Sequence, residues 1–458
     1  MTMDQPSYLR MIRRISFFAA ISYAVDYSFQ LVDMFWIAQL GAAAPTAITL
    51  VSVILFAVLA LNEIVGVSTV SLLSQSVGRG DETETGALIL NCLIVKFVLG
   101  VAMVVLLGAI LLTTVWWQSL DGALRQLTLE YAWVIWPSLI LLPVYSTIMT
   151  VLRTVGLEIM AAAISVMILA VNAVATPLLI FGFGEMQGLG ISGAAWATIL
   201  SQFMALFVSM SVLIRKRPAL SVLRRSAISW QPTLYRKLVL IGLPIGVMMV
   251  VYSLENLVLA NLVLDYPIAV SDGFGIGARI FGFVFIINLG VTVGVGIGTG
   301  KILGAEGTSD AAAETIRVGT QRLCLGLLAL GLLIWASASL WLDPVLSTFT
   351  DTPKTARTAA DYIRFMLLTN CLFMVTYALN GVFEGAGVTW PILAAGLVSY
   401  AVIEFPLLYI LHNHVPGNLL LLWSSICAAA FVSLAITLKL FRLRYWDVTK
   451  KSGEVARI

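Results

Sequence analysis

Among the carboxylates that stand in largely apolar stretches of chain, Asp26, Asp33, Glu63, Glu255 and Glu404 are the candidates for chemistry. In hydrocarbon such a group costs about 2.5 kcal/mol or more at mid-helix, so each needs a partner or a task. Loss of water favours the neutral form of a carboxyl group, which lets it exchange a proton; in its charged form it can hold a cation. Asp33 is the leading candidate for such a cation or proton site. It sits late in the apolar run 12–39, where the alternative is a helix-end aspartate touching interfacial water. Asp26 precedes it by two helical turns on the same face, placed to pair with it or to line the same cavity. Glu255 lies mid-run beside Asn256, Glu63 beside Asn62 as a cavity candidate, and Glu404 beside Pro406. Lys96, Glu130 and Arg279 are further ionisable residues within apolar runs, and each is a structural partner on offer to one of the acids. For Glu404 the structural alternative is a pair with Arg279 or Lys96.

Other chemistries lack their residues. Cys92, Cys324, Cys371 and Cys427 stand singly with no ligand spacing and read as small core residues. His412 and His414 have no HExxH or His/carboxylate setting, so a catalytic metal site is not expected. Gly298-Thr299-Gly300-Lys301 hints at a phosphate loop, but Val295 stands where its first glycine belongs and Ile302 where Ser or Thr belongs. With no nucleotide site and no expected cofactor, the energy for any transport must come from an ion gradient, of H+ or Na+.

The elements that carry these residues are membrane helices. Of the 458 residues, 60% are apolar and 11% charged, against roughly 25% charged in an ordinary soluble domain. The mean hydropathy is +0.98. A soluble fold cannot hide that much apolar surface, which excludes a soluble enzyme, a disordered chain and a nucleic-acid-binding domain. Apolar runs recur near 12–39, 46–75, 86–115, 125–151, 159–182, 190–214, 236–264, 268–302, 314–342, 357–383, 390–411 and 417–440. They are continuous rather than alternating, so the fold class is all-α with twelve transmembrane helices, not a barrel. Turn chemistry separates them at Gly78 to Asp81, Gly182 to Gly190, Asp343-Pro344 and Val415 to Gly417. The N-terminal run lacks a cleavage site and reads as the first span.

Lys and Arg collect in three places: Arg10 to Arg14, Arg215 to Lys237, and Lys439 to Arg457. The opposite loops hold little beyond Arg125, Lys354 and Arg357, so both termini and the central linker are expected in the cytoplasm of a plasma-membrane protein. A weak repeat divides the chain. Arg10 aligns with Arg236, Ile15 with Ile241 and Gly78 with Gly304. Leu152 to Gly156 resembles Phe383 to Gly387, and Pro177 and Trp196 match Pro406 and Trp423. The expected organisation is an N-terminal six-helix lobe (1–214), a basic linker (215–235), a C-terminal six-helix lobe (236–441) and a tail (442–458). Six spans per half imply a pseudo-two-fold along the membrane normal, a central cleft and alternating access.

The segments Leu31-Val32-Asp33-Met34-Phe35-Trp36, Leu72 to Asp81, Leu152 to Gly156, Gly188 to Thr198 and Gly242-Leu243-Pro244-Ile245-Gly246 occur in an order and spacing that resemble the multidrug and toxic compound extrusion (MATE) family. The resemblance covers almost the whole chain and is closer to the DinF-like than the NorM-like branch around Asp33. It implies a secondary active antiporter that exports amphipathic or cationic organic compounds in exchange for H+ or Na+, working as a monomer in the lipid bilayer. It also implies that Asp33 meets Asn172, Thr176 and Thr198. Thr176 departs from the pattern, because many DinF-like members have a second aspartate there. Phe18 stands where those members have a helix-bending proline, which puts a proline-based kink of the first span in doubt. NorM-like members have a functional glutamate in the helix of Glu255, displaced by about one turn, while their aspartate in the tenth span falls near Phe373. The rival reading is a lipid-linked oligosaccharide flippase of the related superfamily, which would favour a basic cavity.

Overall fold

A computed structural model describes residues 4–113, 122–217, 231–348, 350, 352–415 and 418–447. Most of the linker around Arg224 and Arg225, the turn at Pro416-Gly417 and the tail beyond 447 lie outside the described residues. The chain is helical almost throughout. The helices are α1 (Gln5–Ala38), α2 (Ala43–Arg79), α3 (Glu82–Thr113), α4 (Gly122–Ile135), α5 (Ser138–Thr154), α6 (Glu158–Phe181), α7 (Ile191–Lys216), α8 (Pro232–Leu264), α9 (Ile268–Glu306), α10 (Asp310–Leu346), α11 (Pro353–Ala386), α12 (Trp390–Leu397), α13 (Phe405–His414) and α14 (Leu419–Arg442). A π-helical segment, Val398–Glu404, joins α12 to α13. A two-residue hairpin, Gly182–Phe183 with Met186–Gln187, fills the α6–α7 connection.

Among the described residues, 10 helices are long and apolar enough to cross a membrane, or 11 with α4 and α5 taken as one span bent by 48°. The protein is therefore an all-α, multi-pass membrane protein. The bend falls at Trp136-Pro137, inside a run that reads as continuous in sequence; Pro137 has no N–H to offer to the helix. The expected turn at Asp343-Pro344 is not a break, since α10 carries Pro344 in its last turn and runs on to Leu346. α1 is one unbroken helix, as a first span without proline should be.

The internal repeat has a local structural signature. α5 and α11 end alike: Leu157 N–H donates to Leu152 O at 2.8 Å, and Val388 N–H to Phe383 O at 2.9 Å. Both turns pass through a glycine at positive φ, Gly156 at 85° and Gly387 at 75°. This six-residue closure needs the left-handed conformation that glycine adopts without a Cβ penalty.

Two compact units form, one contiguous in sequence, Ile21–Gly242, and one made of two segments, Met1–Ala20 with Leu243–Ile458. In the second of these, the leading segment of α1 lies on a glycine row of α9. A Cβ at Gly290, Gly294 or Gly298 would come within 2.7 Å of Ala20, Ser16 or Ile12. Tyr8 closes the contact through a 3.2 Å hydroxyl–hydroxyl bond with Thr299. In the first unit, the leading segment of α8 packs in the same manner: Tyr235 donates to Asn91 Oδ1 at 2.9 Å, and Gly242 lies on the backbone of Ile64. A Cβ on Gly242 would sit 1.5 Å from Ile64 O, so Gly242→Val should destabilise the protein by about 3 kcal/mol, the upper range for overpacking. Thermal unfolding in detergent checks this, with Gly275→Ala, whose Cβ meets nothing within 4 Å, expected to leave the midpoint in place.

Candidate functional site

In the unit Ile21–Gly242, α6 presents Asn172 and Thr176 one turn apart on one buried face, because i and i+4 side chains stack on a helix. The small-residue N-terminal turns of α7 bring in Thr198. These meet Asp33 near the end of α1. Thr176 Oγ1 donates to Asp33 Oδ1 at 3.0 Å, and Thr198 Oγ1 to Oδ2 at 3.4 Å while also bonding Ala194 O at 3.1 Å. Asn172 is wholly buried and adjoins the carboxyl group. Its amide N and O have no hydrogen-bond partner among the described residues. Tyr131 of α4 adds a phenol close to the same carboxylate. The set is one carboxyl group ringed by neutral oxygens, able to bind a proton or a small cation.

Asp26 has a guanidinium, Arg153 of α5, as its charged neighbour. Arg153 is buried and lies 5.2 Å from the centroid of the Tyr23 ring. Asp26 therefore belongs to an acid–base–aromatic group. Glu63 belongs to a third set. The buried Lys96 Nζ donates to Asn62 O at 2.6 Å and to Asn62 Oδ1 at 2.5 Å, and Asn62 Nδ2 donates to Glu63 Oε1 at 3.3 Å. Lys96 is thus held by Asn62, with Glu63 as its charged neighbour. Glu130 and Arg279 are exposed on α4 and α9.

The other unit brings Glu255 and Glu404 together. Glu404 ends the π-helical segment, is 1% exposed and has the carboxyl group of Glu255 from α8 as its neighbour. Among the described residues, one oxygen of Glu404 has no hydrogen-bond partner, and neither do the buried Asn380 Oδ1 and Thr437 Oγ1. All three residues line a cavity of about 20 Å³ that Tyr252, Tyr377 and Tyr400 also wall. Single wide turns of this kind often occur at functional positions in helices.

The residues that sequence reasoning missed are Tyr131, Arg153 and the tyrosines around Glu255 and Glu404. A tyrosine in an apolar run resembles one at the membrane interface, so its sequence carries no distinguishing signal. Arg153 was visible as a lone charge in the Leu152 to Gly156 motif.

Long apolar helices in two units, each enclosing carboxyl groups among hydroxyls, define a polytopic membrane carrier. The chain belongs to the MatE family, whose model matches residues 19–178 and 244–410, one segment in each half. It is a secondary transporter and not an enzyme. It is 26% identical to the FAD transporter of Shewanella oneidensis over 77% of both chains. It is 23% identical to a probable multidrug resistance protein, YoeA, of Bacillus subtilis over 94% of this chain and 91% of that one. Its fold matches a multidrug resistance MATE family transporter in an outward-facing conformation with a TM-score of 0.84 at 20% identity, over 97% and 98% of the two chains. It also matches a MOP superfamily transporter from Pyrococcus furiosus, described as having a binding pocket of reverse polarity, with a TM-score of 0.83 at 22% identity over 98% and 100%.

Proposed function

We propose that this carrier exports amphipathic, often cationic, organic compounds in exchange for protons, with Asp33 as the coupling group, and that it lies on the DinF-like side of its family. The observation that carries the reading is the neighbourhood of Asp33: two threonine hydroxyls donate to the carboxylate and, among the described residues, no second acid stands beside it. One carboxylate suffices for a proton switch. Protonated, it is neutral and inexpensive to bury; ionised, it can hold a cationic substrate. A bare sodium ion is normally compensated by several oxygens and often by more than one negative charge, and here Thr176 stands where the family's second acid would be. The Glu255–Glu404 pair is the second-lobe proton store in this reading. The test is drug efflux in proteoliposomes with proton and sodium gradients imposed separately. A proton gradient without sodium is expected to drive efflux; efflux that needs sodium and ignores the proton gradient would defeat the proposal.

A relative that carries FAD, an anionic compound, bears on the substrate. Buried Arg153 and Lys96 are the residues that would serve such a substrate, but each already has a carboxylate neighbour. This favours cations over the lipid-linked oligosaccharide flippase.

The proposed topology is twelve spans, with α2 among them, and cytoplasmic termini in the plasma membrane of a monomer. Single cysteines at residues 226 and 346, in a cysteine-free background, are expected to react with impermeant reagents from opposite sides. Labelling of residue 226 from outside intact cells would reverse the orientation.

A further inference from the structure

We infer that the cavity beside Glu404 binds water, held by Thr437 and Asn380, and that this water carries protons to and from the Glu255–Glu404 pair. The inference rests on the reading of that pair as a proton store. The cavity forms where the π-helical segment meets α11 and α14. Its space of about 20 Å³ suits a single water, which needs roughly 10–15 Å³. An organic substrate needs a pocket of about 300 Å³ or more, so this is not a substrate site. Thr437, near the end of α14, and Ile392, in the first turn of α12, both line it. Those two ends are neighbours, since the rings of Trp390 and Tyr445 lie 5.5 Å apart. The cavity thus leads from Glu404 toward that end of the unit.

The polar atoms that face it fit such an occupant. Glu404 Oε1, Asn380 Oδ1 and Thr437 Oγ1 come from three elements and have no hydrogen-bond partner among the described residues. Their residues are 1%, 8% and 2% exposed, and a polar atom buried to that degree is costly to leave unbonded. Two of the three are acceptors, so the occupant must offer two hydrogens, while the threonine hydroxyl can give or receive one. Water does both. Neighbouring hydroxyls are already engaged: Thr376 donates to Leu372 O at 3.0 Å and Ser399 to Ala395 O at 2.7 Å. Among the described lining residues there is no Lys, Arg or His to balance Glu404 by charge. The ionisable groups around it are Glu255 and Tyr252 of α8, Tyr377 of α11 and Tyr400 of the π-helical segment, and Glu384 adjoins Tyr252 and Tyr377. From α14 the lining takes Ser433 and Thr437 and no ionisable side chain. Phenols ionise at about pH 10, which leaves water as the carrier that works near neutrality. The step balances without a further reactant. A protonated water gives up one O–H bond as the ionised Glu404 carboxylate gains one, and release runs backward.

The experiment is infrared difference spectroscopy of the reconstituted carrier stepped between acid and neutral pH, with Glu404→Gln identifying the Glu404 carboxyl band by its loss. In wild-type protein, where no folding defect can intrude, a water O–H band should accompany the Glu404 band and shift in oxygen-18 water. Thr437→Val should move the carboxyl band to higher frequency, because a donor to it is lost. It should also slow hydrogen–deuterium exchange of that carboxyl group roughly tenfold, the size of one hydrogen bond. Thr437→Ser should restore both. A wild-type spectrum with no oxygen-18-sensitive band, or a Thr437→Val band unchanged in frequency and exchange, would overturn the proposal. So would a Glu404 band that moves when sodium replaces potassium at constant pH, by placing a cation in the cavity. Efflux from the same vesicles separates the two readings. Efflux driven by sodium alone, with the water band present, would remove proton coupling and leave the water site standing; proton-driven efflux without the water band would do the reverse.

Discussion

Asp33→Asn should reduce gradient-driven export to the background of empty proteoliposomes while leaving the carrier folded and inserted. The amide matches the carboxyl group in size, so the packing of α1 against α6 and α7 has no steric reason to fail. Thr176 and Thr198 bond different oxygens of Asp33, so one of them can still donate to the amide oxygen while the other faces the NH2 group, which limits the cost of the change to about one hydrogen bond of 0.5–1.5 kcal/mol. What the amide cannot do is take up or release a proton between the two faces of the membrane. Transport and thermal stability should therefore separate, with transport lost and the unfolding midpoint nearly kept. An equally active Asp33→Asn carrier would remove the residue from the mechanism. Glu255→Gln and Glu404→Gln are the companion measurements, and a larger loss in either would move the coupling site to that lobe.

Thr176→Asp should change which ion matters. The hydroxyl of Thr176 lies 3.0 Å from Asp33 Oδ1, so an aspartate there would place two carboxyl groups within contact on a buried helix face. Like charges at that separation cannot both ionise without a counter-ion. A sodium ion is one such counter-ion, and Asn172 Oδ1 and Thr198 Oγ1 are positioned to complete its oxygen shell. Efflux by the variant should become stimulated by an inward sodium gradient, whereas the parent should be indifferent to sodium. A parent already stimulated by sodium, with a variant no different, would show that the single carboxylate suffices for the cation.

The helices were legible in sequence because a bilayer leaves the backbone little choice: apolar runs of this length must satisfy their own hydrogen bonds. Where the reading failed, a local proline was decisive. Pro137 bends one run, while Pro344 is carried within the last turn of α10, which ends two residues later. The convergence of Asn172, Thr176 and Thr198 on Asp33 was reached through family resemblance, since spacing alone places only Asn172 above Thr176. The partners of the other acids were not legible. Asp26 is two turns from Asp33, but its charged neighbour comes from α5, a separate helix. The Glu255–Glu404 pair depends on the π-helical segment. That segment holds extra residue in its turn, so faces counted with an ordinary helical period from Trp390 are displaced by the time they reach Glu404.

The placement of residues 1–20 also bears on how the chain is made. Tyr8 binds Thr299, 291 residues further on. At a synthesis rate of 5–20 residues per second, α1 stands in the membrane for roughly 15 to 60 s before its glycine row emerges from the ribosome. During that interval the face bearing Tyr8, Ile12 and Ser16 has only lipid, or an insertion chaperone, against it. The unit that contains the N-terminus is therefore the last to be completed, and truncated chains ending before α9 should be recognised by quality-control proteases through this one uncovered helix face.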